Sequence, residues 1–176
     1  MKKLFVVGAM IAGAVALCAT DFIVQIDKLP EAPNCVVKPM GSAIGRKFVQ
    51  FTAKEATMSG KISVPEAGDY WVYVRDYSQG GKWRCGIIYL GDQKLGRFGD
   101  APLSEELTPS GHHKHWQWTK APFKVQLPAG EVEVKIVSTS ANTRFNVLYF
   151  TTEDDADIEE INMKEVDEVV PEGYAD

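Results

Sequence analysis

The chain has 176 residues, 45% of them hydrophobic and 10% aromatic, which is enough for one domain with a sizeable core plus short extensions. Its net charge of −5 is unevenly placed: residues 153–176 hold eleven acids against Lys164 alone, a net −10, which leaves +5 on the remainder and about +3 once Lys2 and Lys3 are set aside. That balance excludes a nucleic-acid-binding surface, because phosphate contacts require a strongly basic field.

The N-terminus reads as a leader. Lys2 and Lys3 precede an uncharged apolar run of 14 residues, Leu4 to Leu17, and small residues follow near Ala19 before the first acid, Asp21. This is the layout of a secretory signal peptide. The run falls short of the roughly 20 residues that span a bilayer. Residues 1–19 are therefore expected to be removed, leaving an extracytoplasmic chain, periplasmic or secreted, with no membrane span. The rival reading is an uncleaved signal anchor. Cys18 ends the run as a lipoprotein cysteine would, but Leu17 before it is larger than an acylation signal takes.

From residue 20 to 152 the apolar pattern has period 2, the signature of half-buried strands. Phe22 to Ile26 opens it. Phe48 and Gln50 alternate with Val49 and Phe51, and Met58, Gly60, Ile62 and Val64 share one face. Pro65 to Asp69 makes a turn into Tyr70–Arg75, which is aromatic and β-branched. Gln79-Gly80-Gly81 marks another turn, after which Trp83, Cys85, Ile87 and Tyr89 alternate. The stretch from Gln93 to Lys114 has little periodicity. Phe123, Val125 and Leu127, then Val132, Val134 and Ile136, alternate on either side of Pro128-Ala129-Gly130, and Phe145–Thr152 is the last strand. Six to nine short strands joined by Gly/Pro turns predict an all-β fold, an antiparallel β-sandwich or jelly roll.

Residues 153–176 form a separate acidic region that cannot supply a core. It reads as a solvated tail, partly helical at most over Ile158–Val169, and able to fold back on the basic body or to contact a protein partner. In an oxidising compartment Cys35 and Cys85 either pair or stay free, with Cys85 a buried strand residue.

Several segments, in order, resemble the jelly-roll carbohydrate-binding modules of the galactose-binding-like fold. They are Gly68-Asp69-Tyr70-Trp71-Val72-Tyr73-Val74-Arg75, Cys85 to Gly91, Trp116-Gln117-Trp118, Phe123 to Val134 and Asn146 to Thr151. Similar domains are attached to secreted glycan-degrading enzymes and to secreted FAD-dependent-oxidoreductase-like proteins. The resemblance implies a sandwich over 20–152 and a carbohydrate ligand. It also implies a structural calcium held by acids on the first strand and an Asp on the last. Here those places hold Gln25, Asp27 and Asn146, a poor set for a cation that prefers charged oxygens, so no cofactor is expected.

Sugar recognition needs flat aromatic faces and planar polar groups. Trp71, Tyr73 and Arg75 alternate with Tyr70, Val72 and Val74, so an inward-pointing second set puts the first on the open face. Tyr77 and Trp83 flank Gly80-Gly81, and Trp116 and Trp118 share a face, one of them for packing. The expected ligand contacts are Tyr77, Trp83, Trp116, Trp71, Tyr73 and Arg75. The competing reading covers this face with loops and makes Trp71 part of a second core.

No catalytic residue is expected. No Gly-x-Gly-x-x-Gly follows a strand, and Ser104 and Ser110 lack a nucleophile elbow. His112, His113 and His115 lie in four residues, but Lys114 stands between them and no acid sits at ligand spacing, so a metal is not expected. A pair of carboxylates for glycoside hydrolysis stays open as an alternative. So does a structural or protein-interaction subunit that uses the sandwich as scaffold and the tail as contact.

Overall fold

The structure is a computed structural model that describes residues 20–78, 85–99 and 115–157. The leader, the Gln79–Gly81 turn, Trp83, the His112–His113 pair and the 158–169 segment lie outside the described residues.

Two antiparallel sheets face each other. The first has seven strands: β1 (Asp21–Gln25), β2 (Cys35–Pro39), β3 (Lys47–Phe51), β5 (Gly68–Ser78), β8 (His115–Lys120), β9 (Val125–Leu127) and β11 (Thr143–Thr151). Its order is β2-β3-β11-β5-β8, with β1 also paired to β11 and β9 to β5. The second has four, in the order β4-β10-β6-β7, where β4 is Thr57–Val64, β6 Gly86–Leu90, β7 Gln93–Phe98 and β10 Gly130–Ser138. The chain is an all-β antiparallel sandwich, as the alternation predicts. Two strands escape the pattern. β2 lies at a sheet edge with Val36 and Val37 exposed, and β7 falls in the stretch without periodicity because only Leu95 and Phe98 face inward.

The core sits between the sheets. Met58, Ile62 and Val64 of β4, with Val134 and Ile136 of β10, meet Val49, Phe51, Tyr70, Val72, Val74, Phe145, Leu148 and Phe150 from the larger sheet. Each such side chain taken out of water contributes about 1.5–3 kcal/mol. Along β6 the inward set is Gly86, Ile88 and Leu90 rather than Ile87 and Tyr89, which stay half-exposed. Gly86 is required by contact: a Cβ there would come within 2.6 Å of the Phe145 ring from the opposite sheet.

Cys35 and Cys85 are both free. Cys35 Sγ lies beside the Thr57 carbonyl of β4, Cys85 precedes β6, and β10 runs between β4 and β6. That separation rules out the pairing considered from composition.

A candidate binding face on the larger sheet

The period-2 geometry of β5 sends Tyr70, Val72, Val74 and Asp76 inward and Trp71, Tyr73, Arg75 and Tyr77 outward. Neighbouring β8 is registered so that Tyr77 opposes Trp116, Arg75 opposes Trp118 and Tyr73 opposes Lys120. Five of the six residues named from sequence therefore share one face of one sheet. Trp83, the sixth, lies outside the described residues.

Their exposure divides them. Trp71, Arg75 and Tyr77 are half-exposed, whereas Tyr73 is 3%, Trp118 4% and Trp116 9% exposed. Two things cover the buried ones. The loop after β2 lays Met40 and Ala43 on Phe48, Trp116 and Tyr77. Ile44 and Ala156 join Ile23, Trp71, Tyr73, Trp118, Val147 and Tyr149 in a second apolar cluster. The competing sequence reading thus holds for part of the face: Tyr73, Trp116 and Trp118 pack beneath cover, and a half-open row remains along β5.

Cations thread the aromatic rings. The Arg75 Cζ lies 5.4 Å from the Trp116 ring centre and 6.0 Å from that of Trp118. Arg144 Cζ sits 5.5 Å from the Phe48 ring and 5.1 Å from Tyr77, so the guanidinium bridges two rings. Lys120 Nζ is 3.9 Å above Trp71. Burial, then a hydrogen bond with Asp21, pushes the Tyr149 phenol well up.

At the Tyr77 end a row crosses four strands. Gln50 of β3 opposes Arg144 of β11, and Tyr77 opposes Trp116 with ring centres 5.1 Å apart. Three buried polar atoms in this row have no partner: Gln50 Oε1, Arg144 Nε and Trp116 Nε1. An unpartnered buried polar atom costs about 1–3 kcal/mol, so such atoms call for a functional account. Together they offer one acceptor and two donors among aromatic rings. All three are covered in this conformation, so a ligand reaches them only as side chains on this face move.

Gln50 and Arg144 were not among the candidates from sequence. Alternation along β3 puts Gln50 on the outer face, and that signal was available. Arg144 was not legible, because the pairing of β11 with β5 slips between Phe145 and Leu148. This bulge reverses the phase, so that Phe145 and Leu148 both face the core.

Asn146, which stands at the last-strand calcium position, lies within this register shift. Its Nδ2 donates to the Ile44 carbonyl at 2.9 Å and to the Lys47 carbonyl at 2.8 Å. Its Oδ1 accepts from Ile44 N–H and from Arg75 Nη1, each at 2.9 Å. Both carbonyls thus face an amide donor, and the Arg75 guanidinium stands beside that amide. Asp27 lines an open groove of about 590 Å³ with Leu29, Glu31, Cys35, Val36 and Met58, and its buried Oδ1 has no hydrogen-bond partner. A neutral amide with a guanidinium beside it offers calcium no charged oxygen at Asn146. Among the described residues no cluster of His, Cys, Asp and Glu is arranged to hold a metal.

At the other end of β5 the chain leaving β11 turns back over the face. Trp71 Nε1 donates to Asp154 Oδ1 at 2.9 Å, and Lys124 Nζ pairs with the same oxygen at 2.9 Å. Lys120 Nζ donates to the Asp154 carbonyl at 2.8 Å.

No family model and no curated protein matches the chain. Solved structures do. The C-terminal CBM6 of LamC, a marine laminarinase from Zobellia galactanivorans, superposes with a TM-score of 0.55 at 18% identity, over 76% of this chain and 100% of that one. A family 35 carbohydrate-binding module from Clostridium thermocellum gives 0.56 at 14% identity, over 74% and 97%. The carbohydrate-binding module of Cellvibrio mixtus lichenase 5A, solved with cellotriose, gives 0.52 at 17% identity, over 75% and 97%. At these identities the likeness shows the fold: a jelly-roll sandwich of the kind carbohydrate-binding modules have. Among the described residues no helix is long and apolar enough to cross a membrane.

Proposed function

We propose that the mature chain is an exported carbohydrate-binding module that acts by binding rather than catalysis. The ligand lies along the outer face of the larger sheet, on Trp71, Arg75 and Tyr77, with Tyr73 and Trp116 as the packed layer beneath and Trp83 as a further contact. The observation that carries this reading is the half-open row itself, with aromatic and guanidinium groups at alternate positions of one strand. Aromatic faces stack on the C–H faces of a sugar ring, and Arg75 supplies planar donors for hydroxyls. The unspent acceptor and donors at Gln50, Arg144 and Trp116 add hydrogen-bonding capacity where a polyol would lie. Two of the structural neighbours matched over at least 97% of the solved chain are carbohydrate-binding modules, one of them the C-terminal module of a laminarinase, which supports a binding role for this fold. Export rests on the leader pattern of residues 1–19.

Affinity electrophoresis through gels containing a panel of plant, algal and bacterial polysaccharides tests the proposal. Retardation by at least one polysaccharide is expected, weakened by Tyr77→Ala or Trp83→Ala in protein that remains folded. Free migration in every gel would refute it.

A further inference from the structure

We propose that the corner formed by Trp71, Lys120 and Lys124 is a docking site for an acidic peptide, filled in cis by the start of this chain's own tail, so that tail and saccharide exclude one another at Trp71. The exclusion rests on the function proposed above; the docking does not.

The corner is built for a carboxylate carried on an extended backbone. The indole N–H and the Lys124 ammonium converge on one oxygen of Asp154, each at 2.9 Å, while Lys120 takes the main-chain carbonyl of the same residue at 2.8 Å. Lys124 also reaches the Thr152 carbonyl at 3.2 Å, and Glu153 N–H is capped by Thr151 Oγ1 at 3.1 Å, so the segment is held before and at Asp154. Ala156 packs into the apolar cluster that contains Trp71 and Tyr149. Side chain, main chain and an apolar contact thus define a peptide register, which a lone surface ion pair would not.

The site belongs to the binding face, because Lys120 lies 3.9 Å over the same Trp71 ring that would stack on a sugar. A docked tail occupies one end of the β5 row. The attachment is also displaceable. The Asp154 side chain is 76% exposed, and ion pairs at such sites are weak and screened by salt. The rest of the tail strengthens it electrostatically, since residues 158–176 add seven acids against Lys164 while the body is net positive. The tether supplies the missing affinity, because a short linker gives a millimolar effective concentration.

The test uses the full chain and three proteins: wild type, Asp154→Ala, and Asp154→Ala with Lys120→Ala and Lys124→Ala. The Trp71 indole N–H resonance, assigned by ¹H–¹⁵N NMR, is followed in each. Asp154→Ala is expected to shift it, and a synthetic peptide of residues 153–176 at millimolar concentration to bring it back, but not in the triple variant. An indole resonance unmoved by Asp154→Ala, or restored equally in the triple variant, overturns the docking. For any polysaccharide the wild type binds, Asp154→Ala is expected to bind roughly two- to fivefold tighter, the range a surface ion pair corresponds to. Equal affinity overturns the exclusion. If no polysaccharide binds either protein while the indole responds as expected, the docking stands and the saccharide reading falls, the exclusion with it.

Discussion

Arg75 Nη1 donates to Asn146 Oδ1 at 2.9 Å, and through that one amide the binding row of β5 is tied to the loop that covers it. Asn146 is fully buried and fills four hydrogen bonds, two of them to the carbonyls of Ile44 and Lys47. Arg75 reaches the same loop again at the Ser42 carbonyl, 3.3 Å away.

Asn146→Ala removes all four bonds and strands the partners. It is expected to lower stability by about 2–4 kcal/mol in urea unfolding. Because Asn146 is a neutral amide paired with the Arg75 guanidinium, adding calcium or a chelator is expected to leave the wild-type unfolding midpoint in place. A calcium-induced rise of several degrees would contradict that assignment.

Gly86→Ala drives a methyl into the Phe145 ring, so a loss of roughly 1–3 kcal/mol is expected. Pairing it with Phe145→Leu should recover part of the loss, since neighbours that collide couple non-additively. A strictly additive double mutant would show that the ring is not what excludes the methyl.

Trp118 and Tyr77 face the same way but are expected to behave differently. Trp118→Ala empties a buried site and costs about 3–5 kcal/mol of stability. Tyr77→Ala, at a half-exposed position, is expected to cost less than half of that while weakening polysaccharide binding. Calorimetric unfolding and titration of both variants separate the two roles.

Lys124 and Trp71, by hydrogen bonding, hold the Asp154 carboxyl below its ordinary value. A lowered folded-state value means the contact is complete above the usual carboxylate pKa of about 3.9 and is lost only as pH falls through the lower one. The Trp71 indole resonance should therefore titrate with a midpoint under the ordinary value. A midpoint above it would place the carboxylate away from Lys124.

Cys85 is buried and Cys35 half-buried, and burial pushes the Cys35 thiol up. Thiol labelling of the native protein is expected to modify Cys35 slowly and Cys85 only on unfolding. A native protein without reactive thiol at either position would point to a disulfide instead.

Much of this was readable in advance. Alternation along β4, β5 and β10 placed the core, and its complement on β5 placed Trp71, Tyr73, Arg75 and Tyr77 on one face. Three things were not readable, each for a physical reason. The burial of Tyr73 and Trp116 depends on a loop, Met40–Ile44, whose path is set by a hydrogen-bonded Asn a hundred residues away. The inward Asp76, 1% exposed, looks misplaced in a core strand until Gln117 and Thr119 of β8 supply its bonds at 2.7 and 2.8 Å. The phase slip at Asn146 hides Arg144, because period-2 reasoning assumes an unbroken ladder.

β5 is an interior strand: β11 pairs with it over Trp71–Asp76 along one flank, and β9 then β8 pair with it along the other. Its amides should be among the slowest in the chain to exchange with solvent. Side chains mounted on such a strand have their backbone entropy settled before any ligand arrives. Trp71, Arg75 and Tyr77 would thus stand at fixed backbone spacings, about 14 Å from the first to the second and about 7 Å from the second to the third, a ruler that favours ligands of matching repeat.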